Sequence, residues 1–416
     1  IIQGVTASAG PGGGFIVALN SETGEEVWRF HTTARPDGPG GNTWNDLPVG
    51  RRTGGSVWDQ GTYDPDLHLV FFGAGPTYDT APLRHPIDKP GVTNDALYTN
   101  ATMALDPDTG ELKWHYQHLR NDQWDLDWAF ERTIAMVNVD GQDRKVVMNV
   151  GKMGILDALD PETGAYLFSI DAETQNVITA IDPETGEKTI DPNALPDPSR
   201  TPLICPGASG ARSWPPTSYS PQTGMLYLPL TEWCMRMGAE NSTLLSAPGA
   251  GISNADHPDA VADGKMGRLQ AMDVNGKRLA WRQDLDSPVA TSALATAGGV
   301  VFAGDLDPAL KAFDAATGDL LWTGQLDSNP NSTLATYAVG DTQYVAIVTG
   351  FANYHISAMA PRYQKFRADH GLTPVAQPTG PAAIHVVALS EEGVGAGAAQ
   401  SAAAGQVPPA MSASTG

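Results

Sequence analysis

The segment ALDPDTGELKW, residues 104–114, carries the pattern that decides the fold of this chain. An apolar pair ends one predicted strand, the D-x-x-T-G run forms a turn, and a second strand closes on Trp114. Glycine suits such a turn because it adopts positive φ without steric cost. The pattern therefore predicts a β-hairpin whose second strand carries a buried tryptophan.

Similar segments recur along the chain. The copies that end in an aromatic residue are ALNSETGEEVW (18–28), ALDPETGAYLF (158–168), AMDVNGKRLAW (271–281) and AFDAATGDLLW (312–322), and AIDPETGEKTI (180–190) lacks the aromatic. Short β-branched and aromatic segments such as HLVFFGAG (68–75) and TQYVAIVTG (342–350) lie between them, whereas no segment of helical length shows a 3.6-residue period. Repeats of this kind predict an all-β propeller. Unrelated hairpins that share T-G turns are the alternative.

Composition excludes several classes of protein. The 416 residues include 45 Gly and 32 Pro, which suits a fold with many tight turns. The net charge of −22 argues against nucleic-acid binding, which needs clustered Lys and Arg. No run reaches the roughly 18 apolar residues that a transmembrane helix needs. Residues 390–416 are rich in small residues and are predicted to be disordered, and the start IIQGV is interpreted as a mature or truncated product.

Two aspartates stand close together in NDQWDLDWAFER, residues 121–132. Asp125 and Asp127 are separated by one leucine and flanked by tryptophans, in a segment with no helical or strand period. Two neighbouring carboxylates repel each other unless a hard cation, which prefers oxygen ligands, lies beside them. The segment therefore indicates a cation site, and a solvated loop is the alternative for Asp127.

The order of several segments resembles a known family. After the repeats come GGSVWDQGTYDP (54–65), NDQWDLD (121–127), NVGKMGILDALDPETG (149–164) and the pair Cys205 and Cys234. Together they resemble the pyrroloquinoline quinone (PQQ) dependent alcohol dehydrogenases, which are eight-bladed β-propellers, and most of all their sorbose- and polyol-oxidising branch. The resemblance implies that residues 1–389 form a partial propeller domain, covering about the last five to six blades. Exposed edge strands are expected near residue 1 and near residue 355.

The resemblance also implies roles for individual residues. Asp125 matches the catalytic base, and Asp127 matches the aspartate that marks lanthanide-using members. Lys152 matches the Arg or Lys that hydrogen-bonds the quinone oxygens. Trp58 matches the tryptophan on which the quinone stacks, with an ordinary core tryptophan as the alternative. Further cofactor or pocket contacts are implied for Ser56, Thr6, Thr231, Trp233 and Tyr354.

Two usual metal ligands of the family are replaced. The family's glutamate aligns with Ala9 and its asparagine aligns with Pro76. Binding of calcium or a lanthanide would then fall to Asp125 and Asp127, with Thr77 and Asp79 as alternatives. An inactive homologue is a further alternative, because two ligands are lost.

The family has a disulfide at the spacing of Cys205 and Cys234, which implies an oxidising compartment, the periplasm; two reduced thiols are the alternative. No C-x-x-C-H is present, so electrons would leave to a soluble cytochrome c. The expected activity is oxidation of an alcohol, polyol or sugar hydroxyl. The sequence does not decide whether the protein forms a homodimer. A non-enzymatic propeller scaffold of the outer-membrane-assembly type, which shares the repeats, is the competing function.

Overall fold

The computed structural model describes residues 1–7, 10–197, 199–238, 252–331, 333–350, 354–375 and 382–388. Ala9 and the predicted disordered tail lie outside these ranges. The strands in the first half are β1 (Ile2–Val5), β2 (Phe15–Leu19), β3 (Glu26–His31), β4 (Thr62–Asp64), β5 (Leu69–Gly73), β6 (Ala101–Leu105), β7 (Leu112–Gln117), β8 (Thr133–Val139), β9 (Gln142–Val150), β10 (Ile155–Leu159), β11 (Tyr166–Asp171), β12 (Ile178–Ile181) and β13 (Lys188–Ile190).

The remaining strands are β14 (Leu203–Ile204), β15 (Ser218–Ser220), β16 (Met225–Thr231), β17 (Trp233–Met237), β18 (Ile252–Asp256), β19 (Gly267–Asp273), β20 (Arg278–Leu285), β21 (Leu294–Ala295), β22 (Val300–Asp305), β23 (Ala309–Asp314), β24 (Leu320–Gln325), β25 (Ala335–Val339), β26 (Thr342–Thr349) and β27 (Ala383–Ala388). Two α-helices, α1 (Pro258–Asp263) and α2 (Tyr354–Asp369), complete the regular elements.

Six antiparallel sheets succeed one another along the described part of the chain. Their strand orders are β1-β2-β3, β4-β5-β6-β7, β11-β10-β9-β8, β15-β16-β19-β20, β21-β22-β23-β24 and β25-β26-β27. Two small sheets stand apart from this series: the hairpin β12-β13, which contains the repeat copy without an aromatic, and the sheet β14-β17-β18. In each of the six sheets the strands lie side by side in chain order, which is the form of a propeller blade. The elements β17, β18 and α1 are inserted between β16 and β19, and α2 is inserted between β26 and β27.

Three of the repeat tryptophans dock onto the turn of the next repeat. The Nε1 atoms of Trp28, Trp114 and Trp281 donate hydrogen bonds of 3.0 Å to the carbonyl oxygens of Pro107, Pro161 and Ala315. These acceptors lie in turns that end at glycines with positive φ, at 72°, 73° and 80° for Gly110, Gly164 and Gly318. The predicted hairpins and these three docking tryptophans are confirmed, and the fold is a β-propeller. Trp322, which was also expected to be buried, is instead 39% exposed.

Apolar side chains pack between adjacent blades. Phe71 of β5, Trp114 of β7 and Val147 of β9 belong to one such cluster, and all three are buried. Burying a large apolar side chain stabilises a protein by roughly 1.5–3 kcal/mol. The blade interfaces therefore hold the neighbouring strand ends, and the loops that follow them, in fixed relative positions.

Helix α2 is a correction to the sequence prediction. No helix of this length was expected, and an edge strand was expected near residue 355, yet residues 354–369 are helical. Its buried side chains, at Ile356, Met359, Ala360, Tyr363 and Phe366, do recur at three- and four-residue spacing. Pro361 inside the helix hides this pattern, because proline normally indicates a helix boundary. Neither helix of the described residues is long and apolar enough to cross a membrane.

Candidate active site

A loop without strand pairing connects β7 to β8 and carries the two predicted site aspartates. Asp125 has a φ of 71°, a conformation that few non-glycine residues adopt. The Asp122 carboxylate holds the loop by accepting hydrogen bonds from the backbone N–H groups of Trp124, at 2.8 Å, and Leu126, at 2.7 Å. The loop is thus fixed by a side chain rather than by a sheet.

Lys152 lies in the turn between β9 and β10 and joins the two aspartates. Its Nζ atom is 3.0 Å from Asp125 Oδ1 and 2.9 Å from the Asp125 carbonyl oxygen, and it also pairs with Asp127 Oδ2. The Lys152 backbone N–H donates to the Asp127 carbonyl oxygen at 2.9 Å. The side chains of Lys152 and Asp127 are 7% and 2% exposed, whereas that of Asp125 is 21% exposed. Asp125 is therefore the member that a small molecule can reach.

Burial and the opposite charges of the neighbours shift the pKa values of these three side chains in opposite directions. Burial raises the pKa of the Asp125 carboxyl well above its usual range; Lys152 opposes the rise and Asp127 adds to it. Burial likewise raises the pKa of Asp127 to about 6, against the effect of Lys152. Burial disfavours the charge of Lys152, but the two carboxylates outweigh it and raise the pKa of its ammonium group. With both aspartates ionised the cluster is negative, which favours a further cation.

One carboxylate oxygen of the cluster is free to bind such a cation. Asp127 Oδ1 is buried and has no hydrogen-bond partner among the described residues. A Cβ atom on Gly75 would lie 3.0 Å from this oxygen and 2.4 Å from the Trp58 ring, so only glycine lets the backbone lie against both. Carboxylate oxygens are the ligands that hard cations such as calcium prefer. The residues present fit a cation beside Trp58.

The other predicted residues of the first part of the chain lie around Gly75. The Gly75 N–H donates to the Ser56 carbonyl oxygen at 2.9 Å, and Ser56 Oγ accepts from the Ala7 N–H at 3.1 Å. Thr6 is exposed beside this contact. Pro76 supplies only its carbonyl oxygen, which accepts from the Gly55 N–H at 3.1 Å.

The two alternative cation ligands have other partners. Thr77 Oγ1 lies 3.0 Å from Thr53 Oγ1, and Asp79 pairs with Arg51 at 3.9 Å. Asp127 Oδ1, by contrast, is buried without a hydrogen-bond partner among the described residues.

Thr231 and Trp233 lie on the far side of Lys152. The Lys152 carbonyl oxygen accepts from the Ala211 N–H at 2.9 Å, and the Ala211 carbonyl oxygen accepts from the Thr231 N–H at 2.7 Å. Trp233 is only 3% exposed, and the Arg362 guanidinium of helix α2 covers its ring at 4.6 Å. Trp233 was expected at the pocket rim, but it is buried beneath this helix. Tyr354 begins α2, and its side chain lies outside the described residues.

The predicted disulfide is confirmed. Cys205 and Cys234 are bonded to each other across 29 residues, and neither is a free thiol. The bond joins strand β17 to the segment 205–211, whose last residue, Ala211, donates to the Lys152 carbonyl oxygen. Beside the bond, the Gly207 N–H donates to the Trp233 carbonyl oxygen at 3.0 Å. The bond therefore secures the wall on which Lys152 rests.

Some residues of the site carry no sequence signal. Asp122 and Gly75 stand inside recognised segments, but their contacts with backbone amides and with Asp127 depend on the fold. Arg362 lies in a helix that was not predicted. Only the D-x-W-D spacing of Asp122 to Asp125 hinted at a loop organised by its own side chain.

Comparison with known proteins gives the family. Residues 2–189 and 259–345 match the family described as the PQQ glucose/ethanol/alcohol dehydrogenase β-propeller domain. The quinohemoprotein alcohol dehydrogenase of Comamonas testosteroni is 32% identical over 84% of this chain and 52% of its own length. The lanthanide-dependent methanol dehydrogenase of Methylorubrum extorquens is 28% identical over 82% of this chain and 60% of its own length.

A solved structure of an alcohol dehydrogenase has a similar fold. The chain is similar to the quinohemoprotein alcohol dehydrogenase ADHIIG of Pseudomonas putida HK5, with a TM-score of 0.76 and 27% identity over 99% of this chain and 61% of that one. The chain spans about half the length of the first curated relatives it matches, at 52% and 50%. With a family match over more than half of its residues, the chain belongs to the PQQ-dependent alcohol dehydrogenase β-propeller family.

Proposed function

We propose that the protein oxidises the hydroxyl group of an alcohol, polyol or sugar with PQQ as cofactor and a calcium or lanthanide ion beside it. The observation that carries this proposal is the pairing of one buried lysine with two aspartates next to a tryptophan face. A non-enzymatic scaffold has no reason to keep such a cluster beside Trp58, because burying charged groups costs stability. When bound, PQQ accepts the electrons of the alcohol and the ion acts as a Lewis acid.

Asp125 is the proposed base. Its carboxylate is the exposed member of the cluster, so it can accept the hydroxyl proton of a substrate. Lys152 favours the ionised form that this step requires, because its ammonium lies 3.0 Å from Asp125 Oδ1. The same hydrogen bond orients the carboxylate, so Lys152 both favours the ionised form of the base and positions it.

The binding roles follow from the positions of the side chains. Trp58 offers an aromatic face for a planar quinone, and Lys152 offers a donor for its oxygens. Asp125 and Asp127 would hold the cation, with Asp127 Oδ1 as the free buried oxygen. The lanthanide named for the Methylorubrum relative supports the same class of ion. Further cofactor or pocket contacts are proposed for Ser56, Thr6, Thr231 and Tyr354.

Electron transfer to a soluble cytochrome c completes the proposal. The two cysteines of these 416 residues are bonded to each other and form no C-x-x-C-H, and we propose a separate carrier as the electron acceptor. A net charge of −22 suits a partner with a basic surface. The disulfide suits the oxidising periplasm.

Reconstitution tests the proposal. The purified protein is mixed with PQQ and either calcium or lanthanum, and cofactor absorbance and dye reduction are followed with alcohols, polyols and sugars. We expect substrate-dependent dye reduction only when PQQ and a cation are both present. Lys152→Met should weaken PQQ binding, whereas Lys277→Met, which loses a surface pair with Asp140 and a contact with the Phe168 ring, should not. Absence of PQQ binding with every cation would favour a scaffold.

A further inference from the structure

The loop that carries Asp125 is held by two buried side chains that the proposed chemistry does not use. Asp122 and Asn100 are 2% and 0% exposed, and Asn100 Nδ2 donates to Asp122 Oδ2 at 2.9 Å. Asp122 accepts from the N–H groups of Trp124 and Leu126, one at each carboxylate oxygen. Asn100 Oδ1 accepts from the N–H of Trp128 at 3.3 Å. We call Asp122 and Asn100 the loop clamp.

The clamp binds every second amide of the loop, at residues 124, 126 and 128. The residues between them are Asp125 and Asp127, whose side chains both reach Lys152. The alternation directs the amides toward the clamp and the carboxylates toward the lysine. It also sustains the φ of 71° at Asp125, a conformation that costs a non-glycine residue free energy and persists only where its surroundings enforce it.

Asn100 connects the clamp to Gly75. Its N–H faces the carbonyl oxygen of Gly75 at 3.4 Å, and its carbonyl oxygen accepts from the His118 N–H at 2.8 Å. Gly75 lies against both Asp127 Oδ1 and the Trp58 ring, since a Cβ atom there would meet both. The clamp therefore ties the aspartate loop to the strand end that positions Trp58.

The clamp differs from an ordinary turn aspartate. In the T-G turns, Asp106, Asp160 and Asp182 each accept from two consecutive amides with one oxygen. Asp122 instead uses both oxygens on alternate amides and receives a third hydrogen bond from a residue 22 positions earlier. A local turn needs none of these features.

We propose that Asp122, supported by Asn100, is a positioning residue that sets the carboxylate of Asp125 for proton removal. The proposal rests on the proposed function of this site. Asp122 does not contact substrate in this proposal; it acts through the backbone on either side of Asp125. Displacement of a reacting group by about 1 Å can lower a rate by about 10²-fold, so loosening the clamp should affect turnover more than binding.

The test compares Asp122→Asn with Asp182→Asn, an exposed turn aspartate in the hairpin β12-β13. Turnover is measured per bound PQQ, so loss of folded protein does not count as loss of kcat. For Asp122→Asn we expect kcat to fall about 10²-fold while KM changes by less than about threefold. Asp182→Asn should match the wild type.

Two further readouts separate positioning from stability. Amide hydrogen exchange, which needs no cofactor, should accelerate at residues 124 and 126 in Asp122→Asn and stay unchanged in the blades. The double variant with Asp122→Asn and Asn100→Asp swaps the two side chains. It thereby restores a donor and an acceptor between positions 122 and 100. It should recover about tenfold in kcat over Asp122→Asn alone.

Failure of the proposed function and failure of the positioning role give different results. If the wild type reduces no dye with any substrate, the proposed function fails, and unchanged exchange at residues 124 and 126 would overturn the clamp separately. If the wild type is active and Asp122→Asn keeps its kcat to within about twofold, the positioning role is wrong. If Asp122→Asn does not fold, Asn100→Ala with intact kcat and unchanged exchange at residue 128 overturns the proposal.

Discussion

Lys152 donates to Asp125 twice, with Nζ 3.0 Å from the carboxylate oxygen Oδ1 and 2.9 Å from the main-chain carbonyl oxygen. The second hydrogen bond anchors the lysine to the loop backbone, so the ammonium stays beside Asp125 whatever the carboxylate does. Lys152 also pairs with Asp127. Loss of the Asp125 carboxylate therefore leaves the lysine partnered, which makes Asp125 suitable for substitution.

Asp125→Ala should abolish most of the turnover and leave the fold intact. A positioned base contributes about 10²–10⁴-fold to a rate, and the side chain removed is partly exposed, at 21%. Dye-linked oxidation and a thermal melt measure the two effects. The exposed Asp88→Ala is the matched control and should change neither. An Asp125→Ala protein with wild-type kcat would show that another group removes the proton.

Asp127→Ala should weaken cation binding more than it weakens folding. Its free buried oxygen is the best-placed ligand of the site, and loss of a negative oxygen costs a trivalent ion more than a divalent one. Terbium luminescence and calcium competition measure the two affinities. Asp79→Ala is the control, because Asp79 pairs with Arg51 instead. An equal loss in both variants, or none in Asp127→Ala, would contradict the assignment.

A glycine pair tests the tryptophan docking. Gly24 and Gly164 have the same turn conformation, with φ of 74° and 73°. A Cβ atom at Gly24 meets nothing within 4 Å, whereas one at Gly164 would lie 2.5 Å from the Trp114 ring. Both alanine variants bear a left-handed backbone cost of roughly 1–2 kcal/mol. Gly164→Ala should lose a further 1–3 kcal/mol or so through overpacking, seen as a lower Tm. Equal melting temperatures would mean that docking adds no stability.

Much of the fold was predictable because local sequence patterns determine it. The D-x-x-T-G turn and its tryptophan occupy one contiguous segment, so the sequence near Trp114 predicts the hairpin and the buried ring together. Asp125 and Lys152 were identified through segments that resemble a family, not through geometry. The structure then placed the two side chains 3.0 Å apart although they are 27 residues apart in sequence.

The contacts that were not predicted join distant residues. Gly75 faces Asp127 across 52 positions, and Asn100 meets Asp122 only because β6 and the aspartate loop lie side by side. Helix α2 escaped prediction for a different reason, since its apolar spacing is interrupted by Pro361. The burial of Trp233 depends on that helix, so the error at the pocket rim followed from the missed helix.

The disulfide should appear as a thiol count of zero on the unfolded, unreduced protein. Bridging 29 residues restricts the unfolded chain, and removing such a bridge costs roughly 3–4 kcal/mol in the chain-entropy account. The variant with both Cys205→Ser and Cys234→Ser should unfold at lower denaturant by a corresponding amount. The wild type under reducing conditions is the matched comparison. A count of two thiols would refute the bond in the protein as isolated.

His118 should make the fold sensitive to acid. Its ring is fully buried, with Nδ1 2.7 Å from Asp157 Oδ2, Nε2 2.7 Å from Thr102 Oγ1 and one face stacked on Trp128 at 4.5 Å. Burial lowers its pKa to about 4, although Asp157 opposes this shift while Arg132 and Lys188 add to it. The unfolded chain, whose histidine has a pKa near 6.5, takes up a proton where the folded protein does not. Stability is therefore present above about pH 6.5 and is lost as the pH falls toward 4, by at most about 3 kcal/mol.

Denaturant unfolding at several pH values between about 7.5 and 4.5 measures this loss. His118→Asn keeps a nitrogen donor for Asp157 but does not titrate, so its stability should fall less steeply with acid over that range. Its absolute stability at neutral pH should also be lower, because the stacking on Trp128 is lost. The exposed His85→Asn should follow the wild-type curve. A His118→Asn curve parallel to that of the wild type would show that other groups, among them the buried Asp157, govern the acid response.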